Sequence, residues 1–300
     1  MEKKYKKVEK YYGSVSDIYE NMYDENKLHT SEEYMADWFR YNLIIKRLKD
    51  LKVRGKILDI GCGEGTPITK ICNSVKLEPY AFDVTDEMVG IAKKRFEENE
   101  YDPSNVFQAS ITDLNSLDKN FKDGFFDASL CLGVMPHVPD VLTALKNIKK
   151  KMANKSVSFI SFRNLLFSLF TLNRYTKEFL LEILMSDLGK EDVSKISTDI
   201  DKRLAVNLPP IRTVNKAGGI GYDTIPAEFH NPLTIKSIAK AAGFSECEIY
   251  FYHFHPAPPM YEKSLISKES YREMSINMEK NPSDWRGNFM CSAFLLELKT

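Results

Sequence analysis

The sequence predicts an α/β protein built on a doubly wound, mainly parallel sheet. Two observations carry this. Short apolar runs alternate with stretches of helical period between residues 56 and 162, and the first run ends in a glycine-rich turn. Strands alternating with helices of about 10–15 residues make βαβ units, whose strands lie parallel. The composition agrees: of 300 residues, 43% are hydrophobic and 28% charged, values ordinary for a globular chain and foreign to disorder or coiled coil.

Taken in order, residues 1–50 read as a helical arm, because Tyr34, Trp38, Tyr41, Ile45 and Leu48 recur at spacings of three or four. Strands follow at 56–60, 79–83, 106–109, 126–132 and 156–162, with helices beginning near 68, over 88–96 and over 141–152. The alternation then stops. Over 163–230 the apolar residues at 165, 166, 169, 172, 179, 180, 183, 184 and 188 sit at helical spacing, ahead of a glycine-rich stretch at 218–221 that reads as a hinge or loop. An insertion of this length far exceeds an ordinary connection and reads as a helical cap over a small-molecule pocket. The βα pattern resumes with a helix over 232–242 closed by Gly243, a strand over 246–254, a loop-rich segment with one short helix over 256–288, and a last strand over 289–298. The expected division is an arm (1–50), a core (51–162 and 231–300) and a cap (163–230), whose apolar stripe also offers a homodimer face.

Charge bounds the partners. Lys plus Arg equals Asp plus Glu at 42 each, so the net charge is zero and nothing advertises a nucleic-acid surface. No apolar run approaches the ~20 residues of a membrane span, and the basic start lacks the apolar core of a signal peptide. Five cysteines without metal-type spacing read as reduced thiols. A cytoplasmic protein acting on a small molecule is expected, with no metal.

The run Leu58-Asp-Ile-Gly-Cys-Gly-Glu-Gly65 puts glycines at 61, 63 and 65 between a strand and a helix, with Thr66 placed to cap that helix and Pro67 in its first turn. Glycine lets the backbone turn sharply and lets a ligand lie against it. Asp83 ends the next strand, where a carboxylate accepts the two ribose hydroxyls of a nucleotide. A dinucleotide fingerprint wants its third glycine at position 66, and an acid at position 59 would repel a pyrophosphate.

These residues resemble the first motif of the class I S-adenosylmethionine-dependent methyltransferases. Ala81-Phe-Asp-Val-Thr-Asp-Glu-Met88 resembles their second motif, and Phe126-Asp-Ala-Ser-Leu-Cys-Leu-Gly-Val-Met-Pro-His-Val-Pro-Asp140 their fourth. The resemblance covers about residues 50–162 and 228–254. It implies a Rossmann-like sheet with an antiparallel last strand, S-adenosylmethionine as cofactor, Asp59 facing the methionyl ammonium, Gly61, Gly63 and Gly65 cradling the tail, and Asp83 on the ribose. Val84, Met88, Ser110, Ile111, Cys131 and Leu132 are then expected around the adenosyl group. Ser110 stands where the family often has aspartate, and Arg40 is placed to reach the cofactor carboxylate.

For the acceptor, an alcohol gains from a general base, and histidine titrates near neutrality. His137 follows the fourth strand at the carboxyl edge, and His253 and His255 share one face of a strand. His230 sits where the cap rejoins the core. His29 lies in the arm, facing solvent unless the arm folds over the cofactor. Arg163, Trp285 and Arg286 offer an anion clamp and a stacking surface, although an Asp284–Arg286 ion pair and plain packing explain them equally well. The runs at 253–259 and 281–287 resemble methyltransferases encoded with bacterial surface-carbohydrate enzymes, which implies a sugar or sugar-nucleotide hydroxyl. An amine acceptor, an NAD-dependent oxidoreductase and a non-catalytic cofactor-binding protein remain as alternatives.

Overall fold

The computed structural model describes residues 7, 8, 10–12, 14, 36–215 and 218–300. Tyr34 and His29 lie outside the described residues. Helix α1 spans Ala36–Asp50. The core then runs β1 (Lys56–Ile60), α2 (Thr66–Val75), β2 (Glu78–Asp83), α3 (Asp86–Glu98), β3 (Val106–Gln108), α4 (Leu114–Asn120), β4 (Phe126–Cys131), α5 (Val141–Lys151) and β5 (Met152–Arg163). After α6 (Arg174–Glu178) and α7 (Lys190–Arg203) come α8 (Ile235–Ala241), β6 (Glu246–Phe254), α9 (Lys268–Glu279), α10 (Gly287–Met290) and β7 (Cys291–Lys299).

The seven strands form one sheet in the order β3-β2-β1-β4-β5-β7-β6. β1 pairs in parallel with β2 and β4, β4 with β5, and β7 runs antiparallel to both β5 and β6. This is the Rossmann-like sheet of the class I methyltransferase fold, with its antiparallel last strand. Strand side chains alternate between faces, so Leu58 and Ile60 enter the core that holds Phe82, Phe126 and Phe294. Ile57 enters the opposite core with Ile44, Ile71 and Phe96. Asp59 shares the face of Ile57, which turns its carboxylate toward α1 and away from bulk water.

Several boundaries differ from the sequence reading. Thr66 is not the cap of α2: Gly65 takes that position at φ 86°, and Thr66 is the first helical residue, with its hydroxyl on Glu64. Only glycine takes a left-handed φ there without steric cost. Gly243 does close α8, at φ 97°.

The apolar spacing over 165–188 falls on short pieces of helix. A 3-10 turn (Leu166–Phe170) leads to Leu172, held at φ 52°, and the chain restarts at Asn173 as the N-cap of α6. A single turn of π-helix (Phe179–Leu184) follows. Phe179 is buried, but Ile183, Leu184 and Leu188 are exposed. Helix α7 escaped the sequence reading because it buries only Ile200. Its polar face is laced by the four-apart pairs Glu191–Lys195 and Asp199–Arg203, which support a helix without an apolar stripe. The 256–288 segment likewise holds a full helix, α9, capped by Ser267. Among the described residues no helix is long and apolar enough to cross a membrane.

Candidate active site

One cavity of about 1260 Å³ opens at the carboxyl edge of the parallel strands. A single small-molecule pocket usually measures about 300–1,000 Å³, so this one has room for two ligands. One end is walled by the glycine loop, Asp83, Val84, Met88, Ser110, Ile111 and Leu132; the other by Arg163, Phe167, Asn173, Tyr175, Phe229 and His253. His137 lines the cavity beside Arg163, both of them close to the Tyr222 ring.

The glycine loop is held from two sides. Asp83 accepts from the Gly63 amide at 3.0 Å and from the Thr85 amide and hydroxyl at 3.0 and 2.9 Å. Buried Glu64 pairs with Arg95 of α3 at 2.8 Å, and Arg95 also donates to the Glu64 carbonyl. A Cβ at Gly61 would stand 2.4 Å from Val134 Cγ2, whereas a Cβ at Gly63 would meet only open space. Gly61 is therefore small for packing, and Gly63 leaves the loop surface bare where a ligand lies against it. Gly65 and Cys131 do not line the cavity. A Cβ at Gly65 would press on Ala92 of α3 at 3.4 Å, and Cys131 is fully buried in the core. Burial drives the Cys131 thiol far above its usual range, leaving it inert.

Asp59 is 2% exposed, and its Oδ2 has no hydrogen-bond partner among the described residues. Burial first, and then the negative charge of Asp83, raise its carboxyl to about 7, against the pull of Arg40. A buried, unpartnered carboxylate oxygen beside an open glycine loop is a socket for a cation. The site thus fits the ammonium of a methionyl tail, and it does not suit a pyrophosphate. Arg40 lines the same region, paired with Asp37 at 2.9 Å and donating to Tyr252 Oη at 3.3 Å. Ser110 Oγ is shared with Thr112 Oγ1 at 3.0 Å.

The histidines separate. His137 Nδ1 lies 2.6 Å from the Pro226 carbonyl, which can only accept, so Nδ1 carries the proton. Nε2 then accepts from Tyr12 Oη at 2.8 Å. Burial lowers His137 to about 4, so it is neutral throughout the physiological range. His253 reaches the cavity from a backbone at φ 61°, with Nδ1 2.6 Å from Ser292 Oγ. Its ring lies 4.6 Å from that of His255, the shared face that strand spacing implies. His255 itself is behind the wall, on Tyr271 Oη, and His230 packs on the Phe162 ring; neither lines the cavity.

Arg163 lines the cavity with its guanidinium 4.8 Å from the Tyr222 ring. Trp285 and Arg286 stand elsewhere: Trp285 is 71% exposed and Arg286 is chelated by Asp284 at 2.6 Å. Tyr12 and Asn173 were invisible to the sequence reading. Tyr12 makes a contact 125 residues away, and Asn173 carried only a weak cue, an Asn before a short polar helix. Among the described residues no group of three His, Cys, Asp or Glu side chains is arranged to hold a metal.

Comparison with known proteins meets the same segment. Residues 57–155 match the family model of a methyltransferase domain. The chain is 29% identical over 99 residues to the O-methyltransferase rstn1 of Aspergillus nomiae, covering 33% of this chain and 42% of that protein. It is 27% identical over 190 residues to the ubiquinone biosynthesis O-methyltransferase of Actinobacillus pleuropneumoniae, covering 59% of this chain and 75% of that one. It thus spans less than half of the first relative and three quarters of the second. A solved SAM-dependent methyltransferase from Archaeoglobus fulgidus aligns over 92% of this chain and all of its own at 18% identity, with a TM-score of 0.46. The glycine loop and Asp83, which build the cofactor end of the cavity, lie inside the segment that matches the methyltransferase domain.

Proposed function

We propose that the protein moves the methyl group of S-adenosylmethionine to a hydroxyl of a small molecule. The observation that carries this reading is the single cavity joining Asp59, Gly63 and Asp83 at one end to His137, His253 and an aromatic wall at the other. The bound cofactor supplies an electrophilic methyl on a sulfonium, and the protein's work is to align acceptor oxygen, methyl and sulfur. In this reading Asp59 holds the methionyl ammonium, Asp83 takes the ribose hydroxyls, and Val84, Met88, Ser110, Ile111 and Leu132 surround the adenosyl group.

His137 and His253 are the two histidines able to face an acceptor. With Nδ1 on the Pro226 carbonyl and Nε2 accepting from Tyr12 Oη, His137 acts on an acceptor hydroxyl through Tyr12, and its lowered basicity suits such an orienting relay better than a strong base. The insertion over 163–230 acts as the cap that encloses the acceptor. Of the carbohydrate acceptors implied by sequence resemblance, a sugar nucleotide fits the walls better than a bare sugar. Phe167, Tyr175 and Phe229 line the cavity with aromatic rings suited to a base, and Arg163 lines it with positive charge suited to phosphates.

The test offers S-adenosylmethionine with sugar nucleotides, phenols and matched amines, and follows S-adenosylhomocysteine release together with the product mass. The expected result is a hydroxyl product heavier by one methyl group. Methylation confined to the amines, or cofactor binding without turnover on any acceptor class, would contradict it.

A further inference from the structure

The acceptor end of the cavity contains a hydrogen-bond donor that neither the motifs nor the relatives assign. Asn173 is 8% exposed and lines the cavity. Its Oδ1 accepts from the Tyr175 amide at 2.9 Å and from Thr171 Oγ1 at 2.7 Å. A backbone N–H can only donate, so this bond fixes which side of the amide is oxygen. Oδ1 is thereby spent on capping α6, and the other arm of the side chain, Nδ2 with its two protons, is the one left for the cavity.

The backbone immediately before it is strained. Leu172 is held at φ 52°, a conformation that costs a bulky residue of order 1–3 kcal/mol and persists where the surroundings impose it. The Ala205 amide donates to the Leu172 carbonyl, and the Arg174 amide to the Leu208 carbonyl, so the turn is pinned from both sides. Such strain places Asn173 inside the cavity at the start of its helix.

The surroundings define what Nδ2 would bind. Of the four described acids that line the cavity, Asp59, Glu64 and Asp83 belong to the cofactor end, and Asp37, which also faces His253, is paired with Arg40 at 2.9 Å. Arg163 contributes positive charge, and Phe167, Tyr175 and Phe229 contribute aromatic surface. This end is built for a ring that carries an anionic oxygen.

We propose that Asn173 is an acceptor-binding residue whose Nδ2 donates to an oxyanion of a ring-bearing acceptor. The proposal rests on the methyl-transfer reading above and deepens it by naming the acceptor chemistry. A phosphate of a nucleoside diphosphate and the carboxylate of an aromatic acid share that chemistry, and two probes separate them.

Calorimetry with uridine diphosphate and with 4-hydroxybenzoate, each with and without S-adenosylhomocysteine, is run on the wild-type protein, Asn173→Asp and Asn173→Ser. Both replacements are good helix caps, so α6 survives. Asp adds a repelling charge, and Ser keeps the cap oxygen but removes the Nδ2 arm, its shorter hydroxyl carrying a single proton in place of two. The expected result is that one probe binds the wild type, and that both variants weaken it by at least about tenfold while S-adenosylhomocysteine affinity stays within about twofold. Neither probe binding the wild type, or equal affinity in the variants, would overturn the proposal. Failure of S-adenosylhomocysteine to bind the wild type would instead count against the methyl-transfer reading, with the acceptor proposal judged by the probes alone.

Discussion

Asp83→Ala is expected to remove cofactor binding almost entirely. The carboxylate orders the site by holding the Gly63 amide and both polar groups of Thr85, and it is the group expected to accept the ribose hydroxyls. Hydrogen bonds to a charged group contribute roughly 1.5–3 kcal/mol each. Losing two of them at the ligand weakens binding by about 10²- to 10⁴-fold, before any loosening of the glycine loop is counted. Titration with S-adenosylhomocysteine reads this directly. Asp83→Asn keeps the shape and one acceptor, so its loss should be distinctly smaller. Wild-type affinity in Asp83→Ala would show that the ribose is held elsewhere.

Arg47→Ala is expected to be the most destabilising surface-helix substitution. Arg47 on α1 donates to both oxygens of Glu297 on β7, at 2.6 and 2.8 Å. Glu297 is 1% exposed, and the pair holds Arg47 charged far beyond its already high range. Removing the arginine leaves an uncompensated buried carboxylate, which costs about 3–5 kcal/mol. Replacing both partners with apolar residues removes the charge as well as its partner. The double variant Arg47→Met with Glu297→Leu should therefore recover most of that loss. Urea unfolding of the three proteins checks it; a double variant as unstable as Arg47→Ala would refute the desolvation argument.

The legible parts of this protein are those written in short contiguous runs. The strand-glycine-helix run at 57–67, Asp83 at the end of β2 and His137 after β4 are local patterns, and the cavity holds all three. The alternation of strands and helices predicted the sheet for the same reason. What escaped was set by distance. Tyr12 finds His137 across the length of the core, and Asn173 acquires its role only because Leu172 bends the chain into the cavity. His253 and His255 were correctly paired on one face, but only the fold decides which of them meets the cavity. Arg286 misled because its partner, Asp284, sits two residues away and satisfies it at the surface. Helix α7 was missed because ion pairs rather than an apolar stripe stabilise it.

In the proposed reading Asp59 and Asp83 form the two ends of an S-adenosylmethionine site. Asp59, raised to about 7 without ligand, must ionise to hold an ammonium, so binding below that pH expels a proton. Affinity should therefore fall as pH falls, by about tenfold between pH 8 and pH 6. Calorimetric titration of the wild-type protein with S-adenosylhomocysteine at both pH values, in buffers of different ionisation enthalpy and with NADH as control, tests this. The expected result is micromolar S-adenosylhomocysteine binding, weaker at pH 6 with close to one proton released, and no NADH binding. NADH binding in its place, or S-adenosylhomocysteine binding with no proton release at pH 6, would contradict it.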